Sequence, residues 1–337
     1  MSTVDRNSEN NHDSVIVPEY VKTWKKYYRQ TMVQLQVKRV STRIFHKKVR
    51  FVPKEIKKRE IGLDATQELI RQIIVEGKPA MVARFGSNEA RCCAEGIGIL
   101  YGHKRSFSPK ILNLMHLNAG VFPYGEKMAL RFSEILAEAA SNVDLLGYWE
   151  SFMQNYLTLE VCRNDVAITQ LGSLEPYYSA TPWTSALKGK KVLVIHPFKE
   201  SIESQYKKRT LLFENPDMLP EFQLTVVKAV QTIAGEKDER FENWEQALNY
   251  MYEEAMRQDF DVAIIGCGAY GMPLAAMLKK AGKIAIHLGG ATQLLFGIKG
   301  NRWDNTIGKT LYNEHWVRPM ESEIPSASRK IENGCYW

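Results

Sequence analysis

Three glycines in the segment GCGAYG have the spacing of a turn that holds a diphosphate against backbone N–H groups: Gly266, Gly268 and Gly271. The segment follows an apolar run typical of a buried strand and precedes a run typical of a helix, as such a turn requires. We assign Tyr270, inside the turn, to the same ligand. The pattern favours a nucleotide or a nucleotide-sugar diphosphate. A dinucleotide and a purely structural packing turn are the alternatives.

A second glycine-rich segment, LGGATQLLFGIKGNRW (288–303), begins where the next predicted strand ends at His287. An NAD site would place Asp or Glu at that strand end, so this sequence weakens the nicotinamide alternative. Its glycines would allow close approach of the backbone to a ligand, and its other side chains could supply hydrogen bonds, positive charge and an aromatic ring. We include His287 in the same site. The residues concerned are Gly289, Gly290, Thr292, Gln293, Lys299, Arg302 and Trp303. A surface loop with a buried tryptophan is the alternative.

A third segment, ARFGSNEA (83–90), delivers Arg84 at the end of a short apolar strand, where it could neutralise a phosphate. Small and polar residues then begin a helix: Gly86, Ser87, Asn88 and Glu89. Glu89 could act as a base or bind a divalent cation. Ser87 could equally be a plain helix cap with no other task.

His196 stands at the end of KKVLVIHPF (190–198), a clear β-branched strand, on the side that open parallel sheets use for ligands. It is our second choice, after Glu89, for the base that deprotonates an acceptor hydroxyl. Lys199 follows and could neutralise phosphate, although a solvated basic helix face explains it equally well. A structural role is the alternative for His196 and for His287.

The composition is that of an ordinary globular protein, with 45% hydrophobic and 25% charged residues among 337. It excludes a collagen, a coiled-coil rod, a wholly disordered chain and a disulfide-stapled miniature. The five cysteines have no paired spacing, and the polar first 16 residues do not resemble a secretory signal. We therefore expect reduced thiols in the cytoplasm. The sequence motifs of P-loop kinases, zincins and α/β-hydrolases are absent.

Most of the net charge of +7 lies in residues 17–60, which contain 14 Lys and Arg and three Glu. Aromatic residues alternate with these cations, and a helix over 20–43 would carry an apolar stripe of Val21, Trp24, Tyr28, Met32 and Leu35. Such a helix suits an anionic membrane surface. A helix packed on the body with its cations in water is the alternative, and nucleic acid is the least favoured partner.

Strands alternate with helices beyond this arm, which predicts an α/β fold. We expect a Rossmann-like, mostly parallel sheet in two halves, with helices on both faces. The expected divisions are 1–60 for a disordered start and the basic arm, 61–187 for the N-terminal half, 188–318 for the Rossmann-like half and 319–337 for a tail. The tail lacks periodicity, and we expect a surface strap or a frayed segment.

The segment MVARFGSNE resembles the signature of glycosyltransferases with the GT-D fold, usually RFGDGE, whose Asp-x-Glu pair binds the metal that holds the nucleotide sugar. Other segments look like those of related proteins from bacterial surface-polysaccharide gene clusters, in the same order over about residues 64–305: NAGVFP, DLLGYW, HPF, GCGAYGMPLA and HLGGATQLLFGIKGNRW. Ser87 replaces the first acid of the pair, and Glu89 retains the second. Mn²⁺ or Mg²⁺ could bind through Glu89 and the donor phosphates, the reaction could need no metal, or activity could be lost.

The resemblance implies transfer of a sugar from a nucleotide-diphosphate donor to a glycan or lipid-linked acceptor in surface-polysaccharide synthesis. We expect no organic cofactor. The basic arm fits a position at the inner face of an anionic membrane. An NAD(P)-dependent oxidoreductase and a non-catalytic nucleotide-sugar-binding protein are the alternatives. The interpretation requires the turn with Glu89 and the two later glycine-rich turns to meet at one cleft.

Overall fold

The computed structural model describes residues 18–46, 49–326, 328 and 334–337. The expected disordered start lies outside these residues. Twelve α-helices occur in the described part of the chain, besides short 3-10 and π turns: α1 (Glu19–Phe45), α2 (Lys54–Arg59), α3 (Leu63–Glu76), α4 (Ser87–Leu100), α5 (Pro109–Leu117), α6 (Glu126–Ala140), α7 (Gln154–Tyr156), α8 (Lys199–Tyr206), α9 (Trp244–Met256), α10 (Gly271–Lys280), α11 (Thr292–Leu295) and α12 (Gly308–Leu311).

Eight strands form one sheet within the same residues. They are β1 (Glu60–Ile61), β2 (Ala80–Arg84), β3 (Leu145–Tyr148), β4 (Ala167–Gln170), β5 (Lys191–His196), β6 (Gln223–Lys228), β7 (Val262–Ile265) and β8 (Ile284–His287). Their order is β1-β4-β3-β2-β8-β7-β5-β6, and every neighbouring pair is parallel. The predicted α/β class is confirmed, and the sheet is wholly rather than mostly parallel. The four expected divisions of the chain stay predictions.

The core lies on both faces of this sheet because successive residues of each strand point to opposite sides. In β5, Leu193 and Ile195 belong to the hydrophobic cluster that includes residues of α4, α6, α9 and α10, whereas Val192 and Val194 belong to the cluster that includes residues of α3 and α8. All four side chains are buried. A sheet covered on both faces leaves its carboxyl edge as the place where the strand-ending motifs are accessible.

Helix α1 packs its first half on the body. The Trp24 indole N–H donates to the Ala94 carbonyl at 2.7 Å, and a Cβ on Gly98 would lie 2.4 Å from the Trp24 ring. Val21 and Trp24 are buried, while Met32 is exposed. The first part of the predicted apolar stripe therefore packs on the body. No helix among residues 18–46, 49–326, 328 and 334–337 is long and apolar enough to cross a membrane.

Candidate functional site

A cleft of about 470 Å³ lies at the carboxyl edge of the sheet. The turns after β2, β5, β7 and β8 line it, together with the loops after β3 and β6. Fourteen residues singled out from the sequence as site residues line it: Arg84, Gly86, Ser87, Asn88, Glu89, His196, Gly266, Gly268, Tyr270, His287, Gly289, Gly290, Gln293 and Arg302. The turn with Glu89 and both later glycine-rich turns thus share one cleft.

Five other singled-out residues do not line the cleft: Lys199, Gly271, Thr292, Lys299 and Trp303. Lys199 lies on α8 beside another groove, where its Nζ is 3.9 Å from a carboxylate oxygen of Glu203. The ring of Trp303 packs against Tyr336, with centroids 6.2 Å apart. The solvated helix face proposed as the alternative for Lys199 matches this position.

Two of the three glycines in GCGAYG allow close packing against histidines. A Cβ on Gly266 would lie 2.5 Å from Cδ2 of His196 and 2.7 Å from Oγ1 of Thr292. A Cβ on Gly271 would lie 2.3 Å from Nε2 of His287. These glycines therefore hold the two histidines at the floor of the cleft. Thr292 and Gly271 do not line the cleft but pack against residues that do, Gly266 and His287.

Gly268, the middle glycine, has a φ of +58° and nothing within 4 Å of an added Cβ. Its conformation is one that glycine adopts without strain, and its backbone is open to the cleft. Tyr270, in contrast, is buried: its ring stacks on Trp244 at 4.7 Å, and its hydroxyl lies 3.1 Å from Oγ1 of Thr232. Gly268 is thus better placed than Tyr270 to meet a ligand.

His196 is buried at the end of β5, and burial lowers its pKa to about 3. Its Nδ1 accepts a hydrogen bond from the Phe198 N–H at 3.0 Å. A neutral imidazole that accepts at Nδ1 carries its proton on Nε2. His196 is therefore placed to donate a hydrogen bond to a ligand and poorly placed to take a proton from one.

His287 and Arg84 leave hydrogen-bonding capacity unused beside the cleft. Burial, with a smaller contribution from the Arg84 charge, lowers the pKa of His287 to about 3. Both ring nitrogens of His287 and Nε of Arg84 are buried without a hydrogen-bond partner among the described residues. Buried polar atoms of this kind are costly unless a ligand or water satisfies them. An acceptor oxygen that reached them would satisfy the Arg84 Nε–H and the single N–H of a neutral His287.

Glu89 lies in the first turn of α4, three residues beyond the capping position at Gly86. Its carboxylate folds against Gly86, since a Cβ there would lie 2.0 Å from Oε2 of Glu89. The positive end of the α4 dipole stabilises a negative charge in this position. Ser87 is the first helical residue and not the cap. Glu89 thus has a helix-stabilising role alongside any chemical one.

The side chains of the cleft do not fit a metal ion held by the protein itself. Among the described residues there is no group of three or more His, Cys, Asp or Glu that could hold a metal. Glu89 carries the one side-chain carboxylate among the described residues that line the cleft, whereas Arg84 and Arg302 both line it. The charge of the cleft suits an anionic ligand neutralised by guanidinium groups.

Residues 334–337 form part of the cleft wall, which the sequence did not predict for the tail. Tyr336 and Trp337 line the cleft, and Cys335 and Trp337 are buried. Arg302 N–H donates to the Cys335 carbonyl at 2.9 Å, and the amide of Gln293 donates to the Tyr336 carbonyl at 3.1 Å. The tail is therefore anchored to the loop that follows β8.

The glycine at position 290 explains how Tyr336 fits, because a Cβ there would lie 2.4 Å from Cε1 of the tyrosine. The Arg302 guanidinium lies 4.6 Å from the centre of the Tyr336 ring. Trp149, at the end of the DLLGYW segment, is not among the residues that the sequence assigns to the site. It lines the cleft and donates its indole N–H to the Phe85 carbonyl at 2.9 Å. The adjacent aromatic residues Tyr336 and Trp337 are the one feature of the tail sequence that could have indicated a place in the site.

Comparison with known proteins gives distant structural similarity alone. Neither a protein-family model nor a curated protein matches the sequence. Two solved structures are similar: a domain of unknown function 1792, described as having a distinct glycosyltransferase fold, and the selenomethionine-substituted form of that domain. The first is 14% identical and the second 15%, each with a TM-score of 0.41 over 80% of this chain and 95% of the other. Similarity at this level assigns neither family nor activity.

Proposed function

We propose that the cleft binds a nucleotide-diphosphate sugar and that the protein transfers the sugar to a hydroxyl of a glycan or lipid-linked acceptor. The observation that carries the proposal is the meeting of three turns, those after β2, β7 and β8, at one cleft with unsatisfied anion-binding groups. Its volume of about 470 Å³ lies within the range of small-molecule sites.

The diphosphate would lie between Arg84 and the open backbone at Gly268. Arg84 contributes a buried guanidinium N–H, and neutral His287 contributes one ring N–H, both without partners among the described residues. The N-terminus of α4 faces the same cleft through Gly86 and Ser87, and helix N-termini favour phosphate oxygens. These donors together would stabilise the charge that develops on the leaving diphosphate.

Aromatic side chains give the cleft a surface for the base or the sugar. Tyr336 and Trp149 are far apart in the sequence and both line the cleft, and the Arg84 guanidinium lies 5.9 Å from the Trp149 ring. The indole Nε1 of Trp337 is buried without a hydrogen-bond partner among the described residues. A nucleobase stacked on Tyr336 would place its polar edge within reach of such a donor.

In the proposed reaction the bond between the anomeric carbon and the diphosphate oxygen breaks, and its electron pair leaves on the diphosphate. A bond forms between that carbon and the acceptor hydroxyl oxygen. The hydroxyl proton passes to the carboxylate of Glu89. Among the described residues that line the cleft, Glu89 has the one side-chain carboxylate. His196 donates a hydrogen bond from Nε2 and does not serve as the base.

The cellular setting of this reaction is also a proposal. The resemblance to proteins of surface-polysaccharide gene clusters suggests an acceptor that grows on a lipid carrier at the inner face of the membrane. Mn²⁺ or Mg²⁺ would then have to arrive with the donor phosphates, because the described side chains do not provide a metal site. A nucleotide-sugar-binding protein without activity would use the same cleft.

A thermal-shift screen of the full chain tests the proposal. UDP-, GDP-, CMP- and dTDP-sugars would be compared with NAD(H) and NADP(H), each with and without Mn²⁺. We expect a UDP-, GDP- or dTDP-sugar to stabilise the protein, by about 2.7 kcal/mol at 100 times its dissociation constant. Stabilisation by a CMP-sugar alone, by a nicotinamide dinucleotide alone, or by none of these ligands would contradict the proposal.

A further inference from the structure

Helix α1 carries an apolar stripe that the fold leaves uncovered. Val33, Val37, Val40 and Ile44 are 59%, 43%, 51% and 62% exposed. Their spacing of four, three and four residues places them on one face of the helix. This stripe differs from the one seen in the sequence, whose Val21 and Trp24 are buried against the body.

Cations lie beside this stripe and extend its face toward the start of the helix. Arg43 flanks the stripe, and Lys26 and Arg29 precede it on the same outward side; all three are exposed. The opposite side of the helix faces the body, where Oγ1 of Thr31 contacts the Met153 sulfur at 3.5 Å. The outward face of α1 is thus apolar at one end and positively charged along its length.

The end of α1 that carries the stripe contacts the residue that follows Trp149 of the cleft wall. Nζ of Lys38 is 2.9 Å from Oε1 of Glu150, which also accepts the Phe51 N–H at 2.6 Å. Glu150 directly follows Trp149, a residue of the cleft wall. A surface that held this end of α1 would therefore hold one edge of the cleft close to it.

We propose that the outward face of α1 docks on an anionic lipid bilayer, with Val33, Val37, Val40 and Ile44 entering the headgroup region. The charge selects the occupant: Lys and Arg beside exposed aliphatic side chains match anionic headgroups above acyl chains. Docking on this face would bring the cleft to lipid-linked molecules. That consequence rests on the proposed function, whereas the docking itself does not.

Sedimentation of the full chain with vesicles tests this inference. Vesicles of phosphatidylcholine with about one third phosphatidylglycerol would be compared with vesicles of pure phosphatidylcholine. The double variant V33S/I44S removes the two most exposed residues of the stripe. The matched control V75S/L211S removes two aliphatic side chains that are 68% and 49% exposed outside α1. Both variants should keep the wild-type unfolding temperature because they alter exposed positions.

We expect the wild type and the control to bind the anionic vesicles and V33S/I44S to bind them at least about tenfold more weakly. Binding should also weaken as ionic strength rises from about 0.01 M to about 1 M, which shortens the Debye length from about 30 Å to about 3 Å. Absence of wild-type binding, or equal binding by V33S/I44S, would overturn the inference. So would a dimer that V33S/I44S converts to a monomer without any change in vesicle binding, since a second copy would then be the partner. Because these vesicles contain no donor, the result is independent of whether nucleotide sugars bind.

Discussion

At the scale of single residues, the side chains that can donate hydrogen bonds in the cleft differ from the side chain assigned to accept a proton. Nδ1 of His196 accepts a hydrogen bond from the Phe198 N–H, so the single ring proton of the neutral imidazole lies on Nε2. His287 and Arg84 have donors that no described residue uses. Glu89 is the described carboxylate of the cleft, and it is the residue to which proton removal is assigned.

Replacing Glu89 with Gln should abolish most transfer and spare donor binding. A positioned general base contributes roughly 10²- to 10⁴-fold to rate, and Gln keeps the shape of the side chain without the basic oxygen. Initial rates and calorimetric titration of the donor would measure the two effects. The control Glu134→Gln alters an exposed carboxylate that pairs with Arg131, and it should leave both unchanged. Wild-type turnover by Glu89→Gln would remove Glu89 from the mechanism.

The two buried histidines should make stability depend on pH below neutrality. Their pKa values are lowered to about 3 in the fold, against about 6.5 in an unfolded chain, so between these values the unfolded state binds more protons. Their contribution is fully present above about pH 6.5 and is lost as pH falls toward 3, with a slope of up to about 1.4 kcal/mol per pH unit for each histidine. Urea unfolding at pH 7, 6 and 5 would measure the slope.

The variant His287→Asn isolates one of these contributions. The free energy of unfolding should fall less steeply between pH 6.5 and pH 5 in the variant than in the wild type. Equal slopes in the two proteins would show that His287 is protonated in the fold at these pH values.

At the scale of elements, the glycine-rich turns act through packing as much as through ligand approach. The start of α10 meets β8 at Gly271 and His287, and the turn after β7 meets β5 at Gly266 and His196. The sequence pattern around these glycines predicts a strand, a turn and a helix but cannot say what each glycine contacts. That information depends on which strands become neighbours in the sheet.

Gly271→Ala should destabilise the protein by about 1–3 kcal/mol because the added Cβ would lie 2.3 Å from Nε2 of His287. Gly172→Ala is the matched control: Gly172 does not have a positive φ, and the nearest atom to an added Cβ is Cε2 of Tyr178 at 3.7 Å, an ordinary contact. Its effect should stay within about 0.5 kcal/mol. Denaturant unfolding of both variants would measure the difference, and equal stabilities would contradict the packing account.

The segment 334–337 should contribute to ligand affinity through Tyr336. Stacking of a base on an aromatic side chain is worth about 1–3 kcal/mol, so Tyr336→Ala should weaken binding of the nucleoside diphosphate by roughly 5- to 150-fold. Tyr124→Ala removes an exposed tyrosine that does not line the cleft and should bind as the wild type does. Isothermal titration calorimetry would measure the dissociation constant of the nucleoside diphosphate for each variant and for the wild type. Unchanged affinity in Tyr336→Ala would place the base elsewhere.

At the scale of the whole molecule, the parallel sheet explains why so much of the cleft could be predicted. Arg84, His196 and His287 end their strands, and parallel strands end at one edge. Fold class and the shared position of these motifs therefore follow from local patterns. The wall made by Tyr336 does not, because a short segment after a polar stretch shows no periodicity, and its partners at Gly290 and Arg302 are distant in sequence. The exposed stripe of α1 likewise depends on which helix face the body covers.

The most direct test of the central claim is the fate of the nucleotide sugar that stabilises the protein most. Wild-type protein would be incubated with that donor and with vesicles that contain a lipid-phosphate acceptor, and all products would be quantified by mass spectrometry. The account predicts nucleoside diphosphate and glycosylated acceptor in equal amounts, both strongly reduced in Glu89→Gln. Intact donor after prolonged incubation with every acceptor offered, despite tight binding, would contradict the assignment of a transferase.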